Sequence, residues 1–358
     1  MSVVKKSNQR ESAFEFVKII AMIAIVFCHS VPTERIEYHF ATNNPWLFGV
    51  ILFRQLGSVG NAIFLVASTW FLVDSDKVDL GKTKRMIADN QAISIGFLIV
   101  FLLIGYNLTI KTMTKQIFPF FFSTLWYVTC YILYYCLHGF INNALRNSMS
   151  INSKHAVIVL FITSWLIFMV GSPYFTQLTG FIIVHVFTWY LKKIIKQWND
   201  LKIKRYSIGC LTIGISGWIV GAIILNIIGV LIEGVGQRLS NWNSFFNPLI
   251  LFAAYGCILL ASSSNFNSKY VNTVSSYSLY IYMITGNQLL RTYSDNEFYD
   301  LICQKFGPSM TVCFIFVIVY SIIKLCIGFG LAVVYKMTFA KVIDRIIKNE
   351  YAFLISVC

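Results

Sequence analysis

The chain reads as an all-α, polytopic integral membrane protein of about ten transmembrane helices, with both termini cytoplasmic. Of its 358 residues, 57% are hydrophobic and only 12% are charged, about half the charged fraction of soluble domains. Mean hydropathy is +0.69. The apolar residues fall into long runs, close to the roughly 20 residues that cross about 30 Å of hydrocarbon, and basic residues crowd into alternate connections.

The first twelve residues are polar and basic, with Lys5, Lys6 and Arg10, and form a cytoplasmic N-terminal segment. Helix one follows at about 13–31. A signal peptide is the competing reading, but Lys18 interrupts its apolar core and no small-residue cleavage site follows. Residues 46–53 suit a short interfacial or re-entrant piece ending at Arg54, and helix two runs from about 57 to 73. The loop from Asp74 to about Asn90 carries Lys77, Lys82, Lys84 and Arg85. Further helices are expected at about 92–110, 119–141, 156–171 and 176–191, with a tight turn around Pro173 before the last of these. The basic stretch KKIIKQWNDLKIKR then leads to helices at about 207–232, 246–263, 275–290 and 309–335. A mixed-charge loop is expected over 291–308. From Lys336 to the end, basic and apolar residues alternate as in an amphipathic surface helix. No repeat or soluble module interrupts the pattern, so residues 1–358 read as one transmembrane domain, and no broken pair of helices is apparent.

Placing the N-terminus in the cytoplasm puts most of the 29 Lys and Arg on inner segments, as the positive-inside rule requires. That distribution explains the net charge of +14 without a nucleic-acid partner, because no basic, aromatic-interleaved soluble module occurs. The nine cysteines are scattered, without a C-x-x-C or other metal spacing, and read as small core residues. No metal and no bound cofactor are expected.

Helix one, EFVKIIAMIAIVFCHS, carries the clearest functional signal. At about 100° per residue, the eleven steps from Lys18 to His29 bring the two side chains to one face, about 16 Å apart along the axis. Glu15 shares that face. An ionisable group inside a membrane helix costs about 3 kcal/mol or more unless it faces protein or water, so the stripe reads as a lined site. Bland readings stand beside this one. Lys18 can snorkel, His29 can be a hydrogen-bonded structural residue, and Lys82, Lys84 and Arg85 can be ordinary positive-inside charge. Ser68, Gly57 and Gly60 suit close helix approach, and Tyr280 and Tyr282 suit an interfacial belt as well as a cleft. Lys324 and His185 also lie in apolar runs, and no pattern gives them a role.

K-x10-H in helix one, Lys18 and His29, resembles the Arg/Lys-x10-His signature of the membrane-bound acyltransferase-3 family, bacterial proteins of about ten helices. GSVGNAIFLVASTWFL (57–72) is similar to its second helix, with Ser68 to Phe71 in place of Ser-Gly-Tyr/Phe. Lys82, Lys84 and Arg85 occupy the place of its basic inner loop. LWYVTCYIL (125–133), containing Trp126, resembles its LWFL helix, and SLYIYMIT (278–285), containing Tyr282, its S-F-G-I-Y-L-I-H element, with Thr285 at the late histidine.

The resemblance implies transfer of an acyl group, acetyl in the first instance, from cytoplasmic acyl-coenzyme A to a hydroxyl of an extracytoplasmic or exported polysaccharide or lipid-linked glycan. It also implies a bacterial plasma membrane location. On this reading His29 is general base or transient acyl carrier, and Lys18 contacts the donor while Glu15 holds it. Lys82, Lys84 and Arg85 attract the coenzyme A phosphates, and Ser68, Trp126 and Tyr282 line the acceptor pocket. Other polysaccharide-synthesis membrane proteins are expected neighbours. With no esterase-like soluble domain in the sequence, a second transfer step would need a separate protein. Two other classes remain: a polysaccharide exporter or flippase, which also needs a polar line through a bundle, and a glycan polymerase, disfavoured by the short outer loops.

Overall fold

The computed structural model describes residues 11–37, 40–148, 154–170 and 177–347. Lys5, Lys6, Arg10, the Pro173 turn and the last eleven residues lie outside them. Every regular element among the described residues is helical.

Six helices are long and apolar enough to cross a bilayer: α1 (Ser12–His29), α2 (Pro45–Leu72), α3 (Leu80–Leu103), α7 (Gln177–Ile195), α8 (Asp200–Leu231) and α14 (Met310–Met337). Between them lie α4 (Ile110–Ile117), α5 (Trp126–Ser148), α6 (Lys154–Val170), α9 (Gln237–Trp242), α10 (Pro248–Ser262), α11 (Lys269–Ser275), α12 (Ser278–Thr285) and α13 (Asp295–Phe306). This is a multi-pass membrane protein. Its outer surface agrees: Ile213, Val220, Ile224 and Ile227 of α8, and Ile315, Val319, Ile322 and Ile327 of α14, are exposed apolar side chains that only lipid would cover.

Local chemistry shifts several boundaries from those expected. Residues 46–53 form no separate piece. Asn44 accepts backbone hydrogen bonds from Trp46 and Leu47, Pro45 stands at the first helical position, and α2 runs unbroken from there. The Asp79 carboxylate caps the Lys82 amide, so Lys82, Lys84 and Arg85 lie in the first turns of α3 instead of in a loop. Residues 119–125 are a turn, with Ser123 in the left-handed region at φ 48°, which delays α5 to Trp126. Asn199 caps α8, drawing half of the basic stretch into that helix.

The expected ninth helix is interrupted. A break separates α11 from α12, and α12 ends after eight residues at Gly286. That is about 12 Å of helix, well short of a bilayer. The expected loop after it is also helical: a π-helical turn at Leu290–Ser294 leads into α13, which stops at Gly307 with φ 79°. Residues 339–347 continue helical beyond α14, with Phe339, Val342 and Ile346 exposed and Ala340 buried, as a surface helix requires.

The core is centred on α1 and α2. Ala21, Val26, Leu65 and Val66 are fully buried there, with α5, α7, α10 and α12 packed around them. Two glycines set the α1–α2 distance. A Cβ on Gly60 would stand 2.5 Å from the Ala21 carbonyl oxygen, and one on Gly57 2.6 Å from Cys28 Sγ. Polar groups inside the bundle are used to hold helix ends. Asn142 Nδ2 donates to the carbonyls of Leu72 and Ser75, closing the C-terminus of α2. Its Oδ1 accepts from His185 Nε2 at 2.8 Å, which leaves His185 Nδ1 to accept from Tyr134. His185 is therefore a support for α2.

Gly60→Ala is expected to force α1 and α2 apart and cost about 1–3 kcal/mol, read as a lower unfolding midpoint of detergent-purified protein. An alanine at Gly96, which has open space around it, should leave the midpoint unchanged or raised.

Candidate active site

Glu15 and Lys18 lie one turn apart on α1 and form an ion pair of 3.0 Å. Ser275, at the end of α11, donates to the second Glu15 oxygen at 2.5 Å. Nearby, the Ser12 hydroxyl donates to Asn267 and accepts from the Ser268 amide, so the N-terminal end of α1 is tied to the α10–α11 connection. These residues open onto a cavity of about 370 Å³, lined also by Ser68, Lys82, Met86, Tyr127, Tyr131 and Ser278. Glu15, Lys18, Ser68 and Lys82 thus share one space.

Lys84, Arg85 and Trp126 do not line it. Arg85 is engaged elsewhere: 2.8 Å from Asp344 in the 339–347 helix, 3.6 Å from Asp89, and donating to the Tyr280 hydroxyl at 3.3 Å. Asp89 also accepts from Tyr335 at 2.8 Å. Trp126 packs its ring against Tyr127 and Phe245.

His29 closes the far end of α1. Its ring lies 5.7 Å from that of Tyr282, which lies 6.2 Å from that of Tyr127. A continuous run of side chains therefore leads from the Lys18 cavity through Tyr127 and Tyr282 to His29. The His29 ring also meets the backbone of Gly286, where an added Cβ would stand 2.9 Å from Cε1. Gly286 in turn lines a second cavity of about 350 Å³, with Thr33, Glu34, Lys115, Ser123, Thr124, Gln288, Arg291 and Thr292. His29 Nδ1 is buried and has no hydrogen-bond partner. His138 Nε2 is left open in the same way, and what sets His29 apart is its contact with both Tyr282 and Gly286.

What fixes His29 was not visible as a motif. Lys324 of α14 donates to the His29 carbonyl oxygen at 3.1 Å, a cation closing the C-terminus of α1. The same ammonium pairs with Asp295, which also accepts from Tyr320 at 2.6 Å. Both partners are buried, at 4% and 1% exposure. The signal lay in Lys324 itself, because a lysine in so apolar a run requires a carboxylate. Asp295 was hidden in a segment that reads as loop. Thr285, at the late position expected to carry histidine, bonds to its own helix at Ile281 and packs its methyl against Gly328 of α14. It is a packing residue. Among the described residues no group of His, Cys, Asp and Glu is placed to hold a metal ion.

A family model, acyltransferase-3, described as an acyltransferase domain, matches residues 11–328. No curated protein and no solved structure matches the chain.

Removing one member of the buried pair should be far more harmful than removing both. Asp295→Leu alone is expected to cost about 3–5 kcal/mol by stranding the ammonium, and adding Lys324→Met should recover much of that. Unfolding midpoints of the purified single and double variants check this.

Proposed function

Because the chain belongs to the acyltransferase-3 family and is a membrane acyltransferase, we propose that it moves an acyl group, acetyl in the first instance, from acyl-coenzyme A to a hydroxyl of an exported or surface polysaccharide. The observation that carries this reading is the run from the Lys18 cavity through Tyr127 and Tyr282 to His29, whose Nδ1 is open.

The donor enters at the Lys18 end, which on the positive-inside reading faces the cytoplasm of a bacterial plasma membrane. We favour ten crossings with both termini inside, α11 and α12 counting together as one because they run beside α1 from Ser268, at Ser12, to Gly286, at His29. Lys18, oriented by Glu15, and Lys82 meet the anionic part of coenzyme A. The thioester arm reaches along Tyr127 and Tyr282 toward His29. The glycan approaches from the Gly286 side. His29 takes the proton of its hydroxyl as the oxygen attacks the thioester carbonyl carbon. The carbon–sulfur bond breaks, and the thiolate leaves to be protonated. In the two-step variant the imidazole nitrogen carries the acyl group between the two cavities and then yields it to the glycan. Ser68 belongs to the donor side of this scheme and Tyr282 to the junction. Arg85 joins in donor binding only once its pairing with Asp344 is exchanged. Lys84 and Trp126 stand outside the two cavities and are assigned no contact.

Exporter, flippase and polymerase readings make no use of an acyl donor, which separates them experimentally. Surface and exported glycans from cells with and without the gene, compared by mass and NMR analysis, should lose O-acyl groups in its absence. Wild type should restore them and His29→Ala, at equal expression, should not. Full restoration by His29→Ala would remove the imidazole from the mechanism. Unchanged acylation with altered chain length or amount would favour the transport or polymerase readings. Lys82→Gln should raise KM for acyl-coenzyme A about tenfold with little change in kcat, in keeping with a charge-assisted contact worth about 1.5–3 kcal/mol.

A further inference from the structure

The cavity beyond Gly286 holds two cations from separate elements. Lys115 comes from the last turn of α4 and Arg291 from the π-helical turn. Both are half-buried. Among the described residues neither side chain has an ion pair or a hydrogen-bond acceptor. Several cations around this bundle do: Lys18 has Glu15, Arg35 has Asp300, Arg85 has Asp344 and Lys192 has Asp74.

One carboxylate, Glu34, lines the same cavity, but its two oxygens accept from Thr292 at 3.3 Å and Asn296 at 3.0 Å. It is also solvent-exposed, whereas the cations are not fully so. The balance of charge in the cavity is positive. Arg291 stands near enough to act electrostatically on both His29 and Tyr282. The remaining polar lining, Thr33, Ser123, Thr124 and Gln288, offers hydroxyl and amide groups of the kind that hold sugars. A neutral glycan would leave two half-buried cations in one cavity with a single carboxylate, itself engaged by Thr292 and Asn296, and an anion supplies the missing counter-charge.

We propose that this cavity receives an anionic glycan, with a carboxylate or phosphate of the acceptor seated between Lys115 and Arg291 so that a neighbouring hydroxyl faces His29. This rests on the acyltransferase reading above and adds the substrate class to it.

The test is binding without donor, so that it does not depend on turnover. Protein in phosphatidylcholine nanodiscs is titrated with matched pairs of oligosaccharides: tetragalacturonate against its methyl ester, and glycerol-phosphate-substituted glucotetraose against the unsubstituted sugar. In at least one pair the anionic member should bind about tenfold or more tightly, as expected for a charge-assisted pair of contacts. Whichever pair responds says whether carboxylate or phosphate is read. Lys115→Gln and Arg291→Gln should each weaken that preference, and together abolish it, while Lys305→Gln on α13 should leave it intact. Elution as a single folded species qualifies each variant, and the single variants keep the test if the double one misfolds.

No anionic preference in either pair, or a preference that survives both single variants, overturns the proposal. So does a charge effect confined to anionic phosphatidylglycerol in the nanodisc, which would make the two cations lipid headgroup ligands. The two readings separate cleanly in a parallel assay with labelled acetyl-coenzyme A. Transfer that ignores acceptor charge sinks the anion site and leaves the acyltransferase reading. Anion preference without His29-dependent transfer from that donor sinks the donor reading and leaves the anion site.

Discussion

The contact on which the site depends is the Lys324 ammonium, held between the Asp295 carboxylate and the His29 carbonyl. In apolar surroundings neither charge can be left alone. Pairing them therefore fixes α14 to the start of α13, and through the carbonyl it fixes the end of α1. The other end of α1 is tied by Glu15 to Ser275 and by Ser12 to the Ser268 region. Between these anchors, Gly57 and Gly60 admit α2 to near backbone contact. One helix is thus held at both termini and along its length, and it carries Lys18 and His29 at a fixed separation.

Much of this was legible from residue order. Hydrophobic runs located the apolar helices, and the eleven-residue spacing in α1 placed Lys18 and His29 on a common side. Glycines in the second helix marked its close approach to the first. What the sequence concealed were features decided by local chemistry or tertiary partners. Caps at Asn44 and Asp79 lengthened α2 and α3 beyond their apolar cores, because a helix continues through polar residues once its first amides are satisfied. The break at Gly286 falls inside an apolar run that hydropathy reads as continuous. Asp295 looked like loop charge, since nothing in the run of sequence 295–306 reports that its first residue is buried.

The grouping of basic residues was only partly readable for the same reason. Lys82, Lys84 and Arg85 are neighbours in sequence, yet on a helix Lys84 lies about 160° round from Lys82, while Arg85, only about 60° round and one turn on, is drawn away by its carboxylate partners. Lys82 turns to the Glu15 cavity, and Arg85 turns to Asp89 and Asp344. Conversely, Lys115 and Arg291 are far apart in the chain and line one cavity only because α4 and the π-helical turn both border the space beside Gly286.

The pairing of Arg85 with Asp344 has a kinetic meaning on the donor reading. A carboxylate belonging to the protein already occupies the guanidinium to which a phosphate would be drawn. Donor capture then becomes an exchange of one anion for another, and the observed affinity is the difference between the two. On that reading the helix that carries Asp344 is a built-in competitor. How firmly that helix is held, by whatever covers its exposed Phe339, Val342 and Ile346, would then set how readily Arg85 is released.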